Sequence, residues 1–223
     1  MRISVLIFAL LSSICTSMAA NAFNGSKEKE DSIPLFNSVA VSVDLLGAGL
    51  MLMSDYGQYE AALRINLKDR YFPVFEIGYG AGKHEYDAVT GLQSEAKAPY
   101  FRIGADYNMR KNKHDGYRLY GGFRYAFTSY DFNLSHQGLA DPVYGGTAPI
   151  NITGERVNFH WLEGVFGVDV PLIKPVRLGW SVRYRRRITS TDLPYGTTTW
   201  YVPGFGTDEK NKWSGTFNLI FEL

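Results

Sequence analysis

From Ser38 to the C-terminus, apolar and polar residues alternate with a period of two in eight segments separated by turn-forming residues. This period places successive side chains on opposite faces of a β-strand, and no comparable helical period accompanies it. The pattern therefore predicts an all-β domain. Its predicted strands span 38–46, 58–67, 71–82, 98–108, 117–131, 157–171, 176–189 and 213–223.

The two faces of these strands differ in character. One face is apolar, with Arg186 near one rim as its single charged residue. The other face carries charges of both signs among Gly, Ser and Thr. A soluble carrier barrel with an apolar interior and a membrane barrel with a polar interior both fit this alternation. The predicted interior charge network of the membrane form comprises Arg64, Glu76, Arg102, Asp106, Arg118, Arg124, Glu163, Asp169, Arg183 and Arg185.

The distribution of cations favours the membrane form. Beyond residue 22, every Lys lies in the leader, a turn or a loop, whereas the strand cations are all Arg. A planar guanidinium pairs bidentately with carboxylates and keeps its charge, which suits an enclosed network. Strands that face water would use Lys freely, so the charged face is predicted to be the interior.

Connection lengths and the final strand favour the same form. Short connections at 68–70 and 172–175 alternate with longer ones, the layout of periplasmic turns and external loops. The last strand, WSGTFNLIFEL, alternates up to Leu223 and resembles the strand that the barrel-assembly machinery reads. We predict an eight-stranded antiparallel up-and-down transmembrane β-barrel with long external loops at 47–57, 83–97, 132–156 and 190–212.

The N-terminus indicates export. Met1 and Arg2 precede an apolar run and then small residues, as in a signal peptide cleaved near Ala19 to Ala22. Residues 1–22 are the predicted signal, 23–37 a flexible leader and 38–223 the barrel. The single cysteine would leave with the signal, so the mature chain has no disulfide. The predicted location is the bacterial outer membrane.

The near balance of charges argues against nucleic acid as a partner. Lys and Arg number 23 against 22 Asp and Glu, so no broad field of one sign favours nucleic acid as a partner. We predict no metal, cofactor or catalytic residue. The predicted partners are outer-membrane lipid, the barrel-assembly machinery during biogenesis, and an extracellular ligand or protein.

The interior of so small a barrel is expected to be closed. Eight strands enclose a space that side chains fill, and buried charges must be paired there. The alternative is a proton or ion path through Arg102, Arg124, Glu163 and Arg183. The inner-face glycines of the third strand, at 78, 80 and 82, are expected to make room in a crowded lumen.

The external residues leave two further hypotheses open. A lipid-modifying enzyme at the outer rim would require His84, His114, His136 or His160 to lie within reach of a Ser or carboxylate. The aromatic loop residues would form either an exposed surface for a partner, glycan or lipid headgroup, or a cover over the barrel mouth. These are Tyr144, Tyr195, Trp200, Tyr201 and Phe205.

Long segments of the chain are similar to an uncharacterised Bacteroidales family of unknown function, domain of unknown function 6048. The segments are DSIPLFNSVAVSVDLLG, YGQYEAALRINLKDRYFPVFEIGYG, KNKHDGYRLYGGFRYAFTSYDF, HWLEGVFGVDV, LGWSVRYRRRI and WYVPGFG. The resemblance covers roughly residues 31–223 and implies an outer-membrane-type barrel. It implies no activity and no site residues.

The leading functional hypothesis is therefore a structural or interaction barrel of the surface or adhesion type, with its function in the external loops and a lumen plugged by side chains. The alternatives are a lipid-modifying enzyme at the outer rim and a periplasmic soluble carrier.

Overall fold

The computed structural model describes residues 34–84, 92–112, 115–140, 145, 147–191, 200–207 and 209–223, with backbone only at 84, 92, 136–140 and 147–152. The predicted signal peptide and most of the predicted leader lie outside these residues. Their assignment stays a prediction.

Eight strands form a closed antiparallel barrel in the order β1-β10-β7-β6-β5-β4-β3-β2. The strand β1 closes the ring by pairing with β10, with Ala40 opposite Glu222. The predicted eight-stranded antiparallel up-and-down barrel is confirmed. The elements are β1 (Phe36–Asp44), α1 (Leu45–Met53), β2 (Tyr56–Leu67), β3 (Tyr71–His84), β4 (Leu92–Asn108), β5 (Arg118–Ala140), β6 (Thr147–Ile173), β7 (Val176–Ser190), β8 (Tyr201–Val202), β9 (Gly206–Thr207) and β10 (Asn211–Glu222).

The charged face of the strands is the inside of the barrel. On β3, Val74 and Glu76 are buried, whereas Phe75 and Ile77, which alternate with them, are exposed on the outside. On β7, Arg183 is buried in the same way. A soluble carrier has the opposite arrangement, with apolar side chains inside and charges in water.

The barrel has two unlike ends. One end, which we call the turn end, holds the short connections at 68–70 and 174–175. The first residue of β1, Phe36, and the last residue of β10, Glu222, lie at the same end. At the hairpin end, β3 with β4 and β5 with β6 continue as paired strands, and the β5–β6 pairing reaches Ala140 opposite Thr147.

The predicted long loops at 83–97 and 132–156 are therefore wrong at 83–84, 92–97, 132–140 and 147–156, because these described residues are strand. The sense of the alternation reverses there, because Phe132 and Leu134 are buried on the inner face whereas Asp131 and Asn133 are exposed on the outer face. The strands therefore continue past the point at which their outer face stops being apolar, and that outer face was the pattern used to predict them.

A short helix interrupts the barrel wall, which the sequence did not predict. The strand predicted to reach residue 46 ends at Asp44, and α1 occupies most of the predicted 47–57 loop. Asp44 caps the helix, since the Leu46 amide donates to its Oδ1 at 3.1 Å. The segment LLGAGLMLM is apolar throughout and so shows no period of its own. Among the described residues, no helix is both long and apolar enough to cross a membrane.

Candidate functional site: a lumen filled by ion pairs and a folded-in loop

The interior at the turn end is closed by a small charged cluster. Arg118 Nη2 lies 2.6 Å from Glu222 Oε1, and Arg177 Nη1 lies 3.2 Å from Glu222 Oε2. Next to them, Asn66 Nδ2 donates to Asp69 Oδ1 at 2.6 Å. The last strand is thus tied to β5 and β7 through one carboxylate.

A second group of ion pairs lies one layer further along the lumen. Arg64 Nη2 lies 3.4 Å from Asp106 Oδ2, and its Nη1 binds Asp169. Arg124 Nη2 lies 2.8 Å from the other oxygen of Asp106. The Arg64 guanidinium also lies over the Tyr120 ring, 4.7 Å from the centroid. Each buried cation in this layer therefore has a carboxylate partner.

Glu76 of β3 is the centre of the main charged layer. Its Oε1 accepts from Arg124 Nε at 3.1 Å, and its Oε2 accepts from Arg183 Nη1 at 2.7 Å and from Arg102 Nη1 at 3.1 Å. The three arginines come from β5, β7 and β4. One carboxylate thus joins four strands across the lumen.

Two more carboxylates complete this layer. Glu60 pairs with Arg102 and with Arg183, whose Nη2 lies 3.0 Å from Glu60 Oε1. Glu163 lies 2.9 Å from Arg102 Nε and 3.2 Å from Arg185 Nε. The structure brings all ten predicted network residues into ion pairs, and Glu60 joins them from the same predicted face.

Residues 200–207 fold into the lumen at the hairpin end and form a plug, which is our name for this segment. The short strands β8 and β9 pair within it. Val202 and Phe205 are fully buried. The Phe205 ring packs against Phe159 at 5.0 Å and against Trp161 at 5.8 Å between centroids. An apolar layer therefore covers the charged one.

The charged layer also holds the plug directly. Arg102 Nη2 donates to the Gly204 carbonyl, and Arg185 Nη1 donates to the Phe205 carbonyl, each at 2.8 Å. Tyr201 Oη donates to the Gly57 carbonyl at 2.9 Å. The arginines thus satisfy plug backbone groups that would otherwise be buried without a partner.

The inner-face glycines of β3 create the space that the plug fills. A Cβ at Gly78 would lie 2.2 Å from the Tyr100 ring, one at Gly80 2.8 Å from the Gly204 amide, and one at Gly82 2.5 Å from the Tyr201 ring. Gly204 itself has a φ of +79°, which only glycine adopts readily. The expectation that these glycines make room in the lumen agrees with these distances.

The predicted loop aromatics divide into three groups. Tyr201 and Phe205 are buried in the plug, so for these two residues the exposed surface is wrong and the alternative, a cover over the barrel mouth, agrees with the structure. Trp200 is half-buried, with its ring 6.0 Å from that of Tyr56. Tyr144 and Tyr195 lie outside the described residues. The sequence showed aromatics in a polar stretch, but only the glycine run on β3 indicated that the lumen could receive them.

Little space remains between the charged layers. A void of about 10 Å³ lies beside Glu60, Arg64 and Arg183, which is room for about one water molecule. Among the described residues, no group of three or more His, Cys, Asp or Glu side chains is placed to hold a metal ion. The described lumen is therefore a packed interior.

His160 is the one candidate histidine whose side chain the structure describes. Its Nδ1 lies 2.8 Å from Tyr125 Oη on the outer face of the barrel, and its ring stacks on that of Phe127. The side chains of His84, His114 and His136 lie outside the described residues. His160 is thus held by aromatic neighbours on the outer face of the barrel.

The model of a protein family described as Domain of unknown function (DUF6048) matches residues 1–221. The chain belongs to this family. The family resemblance of the sequence is thereby confirmed, while the Bacteroidales origin stays a prediction. No protein with a curated description matches the DUF6048 chain.

Two solved structures are similar to this DUF6048 barrel. A major outer membrane protein from Thermus thermophilus is 8% identical with a TM-score of 0.49, over 83% of this chain and 98% of that chain. The second is Ail, the attachment invasion locus protein of Yersinia pestis, solved with the heparin analogue sucrose octasulfate. It is 10% identical with a TM-score of 0.40, over 83% of this chain and 97% of that chain. At such values we transfer no ligand and no residue role from either protein.

Proposed function

We propose that this DUF6048 protein is a closed outer-membrane barrel that acts as a structural or interaction protein through its hairpin end. The filled lumen carries the proposal. Ion pairs occupy the interior from Glu222 to Glu60, and the plug covers them up to Val202. A solute would have to break several buried ion pairs to pass through the lumen. We therefore assign the interaction with a partner to the hairpin end and not to the lumen.

The membrane location is supported by the height of the apolar outer face. On three strands it runs from Tyr71 to Tyr79, from Leu119 to Phe127 and from Trp213 to Phe221. Each run covers about 27 Å along its strand, or about 21 Å across a membrane at a tilt of ~40°. This is close to the ~25 Å apolar band of outer-membrane barrels.

Aromatic pairs at the two borders of this band also support the proposal. Tyr71 and Tyr107 lie 5.6 Å apart at the turn end, with the Arg70 guanidinium over both rings. Tyr184 and Trp213 lie 4.9 Å apart toward the hairpin end. Amphipathic rings of this kind concentrate where headgroups meet acyl chains.

The hairpin end supplies the surface for a partner. Beyond the pair Thr128–Phe159, the β5–β6 hairpin continues for twelve residues to the pair Ala140–Thr147. This is about 40 Å along the strands. The short turns and the outer strand ends lie at the opposite end, as expected if that end faces the periplasm. An extracellular ligand or protein is the proposed partner, and β10 is the segment we propose for recognition by the barrel-assembly machinery.

Cell fractionation combined with protease treatment of intact cells tests this proposal. The protein should remain in the outer-membrane fraction until detergent is added, and cleavage should begin in residues 141–146 of the β5–β6 hairpin. A protein that dissolves without detergent would refute the membrane location. The protease is one of broad specificity, and first cleavage at Leu172 or Ile173, which are exposed beside the short turn, would refute the orientation.

A further inference from the structure

The barrel wall is incomplete between β2 and β10 in the half nearer the hairpin end. The strand β1 pairs with β2 up to Val43 opposite Ala61, and with β10 up to Asp44 opposite Asn218. Both neighbours continue past it, β2 to Tyr56 and β10 to Asn211. A gap of one strand width therefore separates them there.

The helix α1 fills this gap and packs closely on β2. A Cβ at Gly47 would lie 2.8 Å from the Gln58 carbonyl oxygen, and one at Gly57 would lie 2.3 Å from the Met51 amide. On the other side, the Phe217 amide of β10 donates to Asp44 Oδ1 at 3.2 Å. The helix thus takes the place of a strand in the wall.

The outward side of α1 is strongly apolar. Leu52 is 79% exposed and Met53 is 70% exposed, and none of the nine residues is charged or has a polar side chain. An apolar surface of this kind is unfavourable in water and marks a contact with lipid or with another protein. The two flanking strands, β2 and β10, indicate which of these two contacts the surface of α1 makes.

Both flanking strands belong to the apolar outer band. Val43, the last outward residue before the helix, is 40% exposed, and Leu45 continues its outward alternation. Tyr59 on β2 and Trp213 on β10 are also exposed. The surface of α1 is therefore continuous with the band that meets acyl chains under the proposed function.

We propose that α1 is a membrane-embedded section of the barrel wall, whose exposed Leu and Met side chains contact the acyl chains of the leaflet at the hairpin end. Helical hydrogen bonding satisfies the α1 backbone internally, so the helix exposes fewer unpaired backbone groups to lipid than an unpaired strand would. This inference rests on the proposed membrane location.

Spin labels on the full chain test the inference in phosphatidylcholine vesicles. A nitroxide is attached at Leu52→Cys, with Met53→Cys as a second site, in a Cys15→Ser background. Collision rates are measured with oxygen, which concentrates in the bilayer, and with a water-soluble nickel chelate. Phe123→Cys in the middle of the band and Asp131→Cys on the projecting hairpin are the matched lipid and water controls.

We expect labels at 52 and 53 to collide more with oxygen than with nickel, as at 123, and the label at 131 to do the opposite. If 52 and 53 behave like 131 while 123 is lipid-exposed, the assignment of α1 is overturned and the membrane location stands. If 123 also favours nickel, the proposed membrane location itself fails.

Discussion

Replacing Glu76 by Gln removes the carboxylate at which Arg102, Arg124 and Arg183 meet, while the shape of the side chain is kept. All three cations are buried and stay charged because a guanidinium does not lose its proton in a protein. Removing one member of a buried ion pair costs about 3–5 kcal/mol, because its partner stays buried without compensation. Other carboxylates still contact each of these arginines, so we expect the lower value, about 3 kcal/mol.

The free energy of unfolding in urea, followed by Trp fluorescence of the barrel in lipid vesicles, measures this loss. Glu155→Gln, on the exposed part of β6, is the matched control and should change the unfolding free energy by less than ~0.5 kcal/mol. With the single variant Arg183→Gln also measured, the double variant Glu76→Gln with Arg183→Gln should lose less than the sum of the two single losses, because the second substitution removes the excess positive charge that the first leaves in the buried layer. A Glu76→Gln loss below about 1 kcal/mol, or strict additivity in the double variant, would refute the role of the network.

Two further substitutions test the plug and the lipid-facing band. Gly82→Leu should displace the plug, since a Cβ there already lies 2.5 Å from the Tyr201 ring, and limited proteolysis should then cut within 200–207. Gly164→Leu, whose Cβ would meet nothing within 4 Å, is its control, and equal cleavage in both variants would contradict the packing. Ile103→Arg in the outer band should cost about 2–4 kcal/mol of unfolding free energy in vesicles, and an unchanged value would argue against contact with lipid.

The barrel was predictable from sequence because burial on one face of each strand imposes a period of two. On β7, the buried Arg183 and Arg185 alternate with outward Val182 and Tyr184. The sequence VRYR shows the same alternation of apolar and charged residues. The charged interior followed because Arg, rather than Lys, occupies that face. The partners of each arginine did not follow, since they depend on how the ring closes.

The helix and the projecting hairpins escaped prediction, and the plug was predicted only as one of two alternatives for the loop aromatics, for separate physical reasons. In α1 every position is apolar, so neither period stands out. Beyond Phe127, the apolar residues of β5 lie on the inner face, at Phe132 and Leu134, so the apolar outer face that predicted the strands no longer marks the hairpin. The plug depends on contacts between Gly204 and Tyr100, which are more than a hundred residues apart in the sequence. Only the spacing of Gly78, Gly80 and Gly82 indicated an interior cleft.

Planar-bilayer recording of the wild-type protein is the most direct test of the closed lumen. Heat-modifiable migration on a gel should first establish that the reconstituted sample is folded. We predict no steady conductance from the folded barrel, because buried ion pairs and the plug fill its interior. Steady conductance steps from the folded, wild-type protein would contradict the closed lumen and reinstate an ion path past Arg102, Arg124, Glu163 and Arg183.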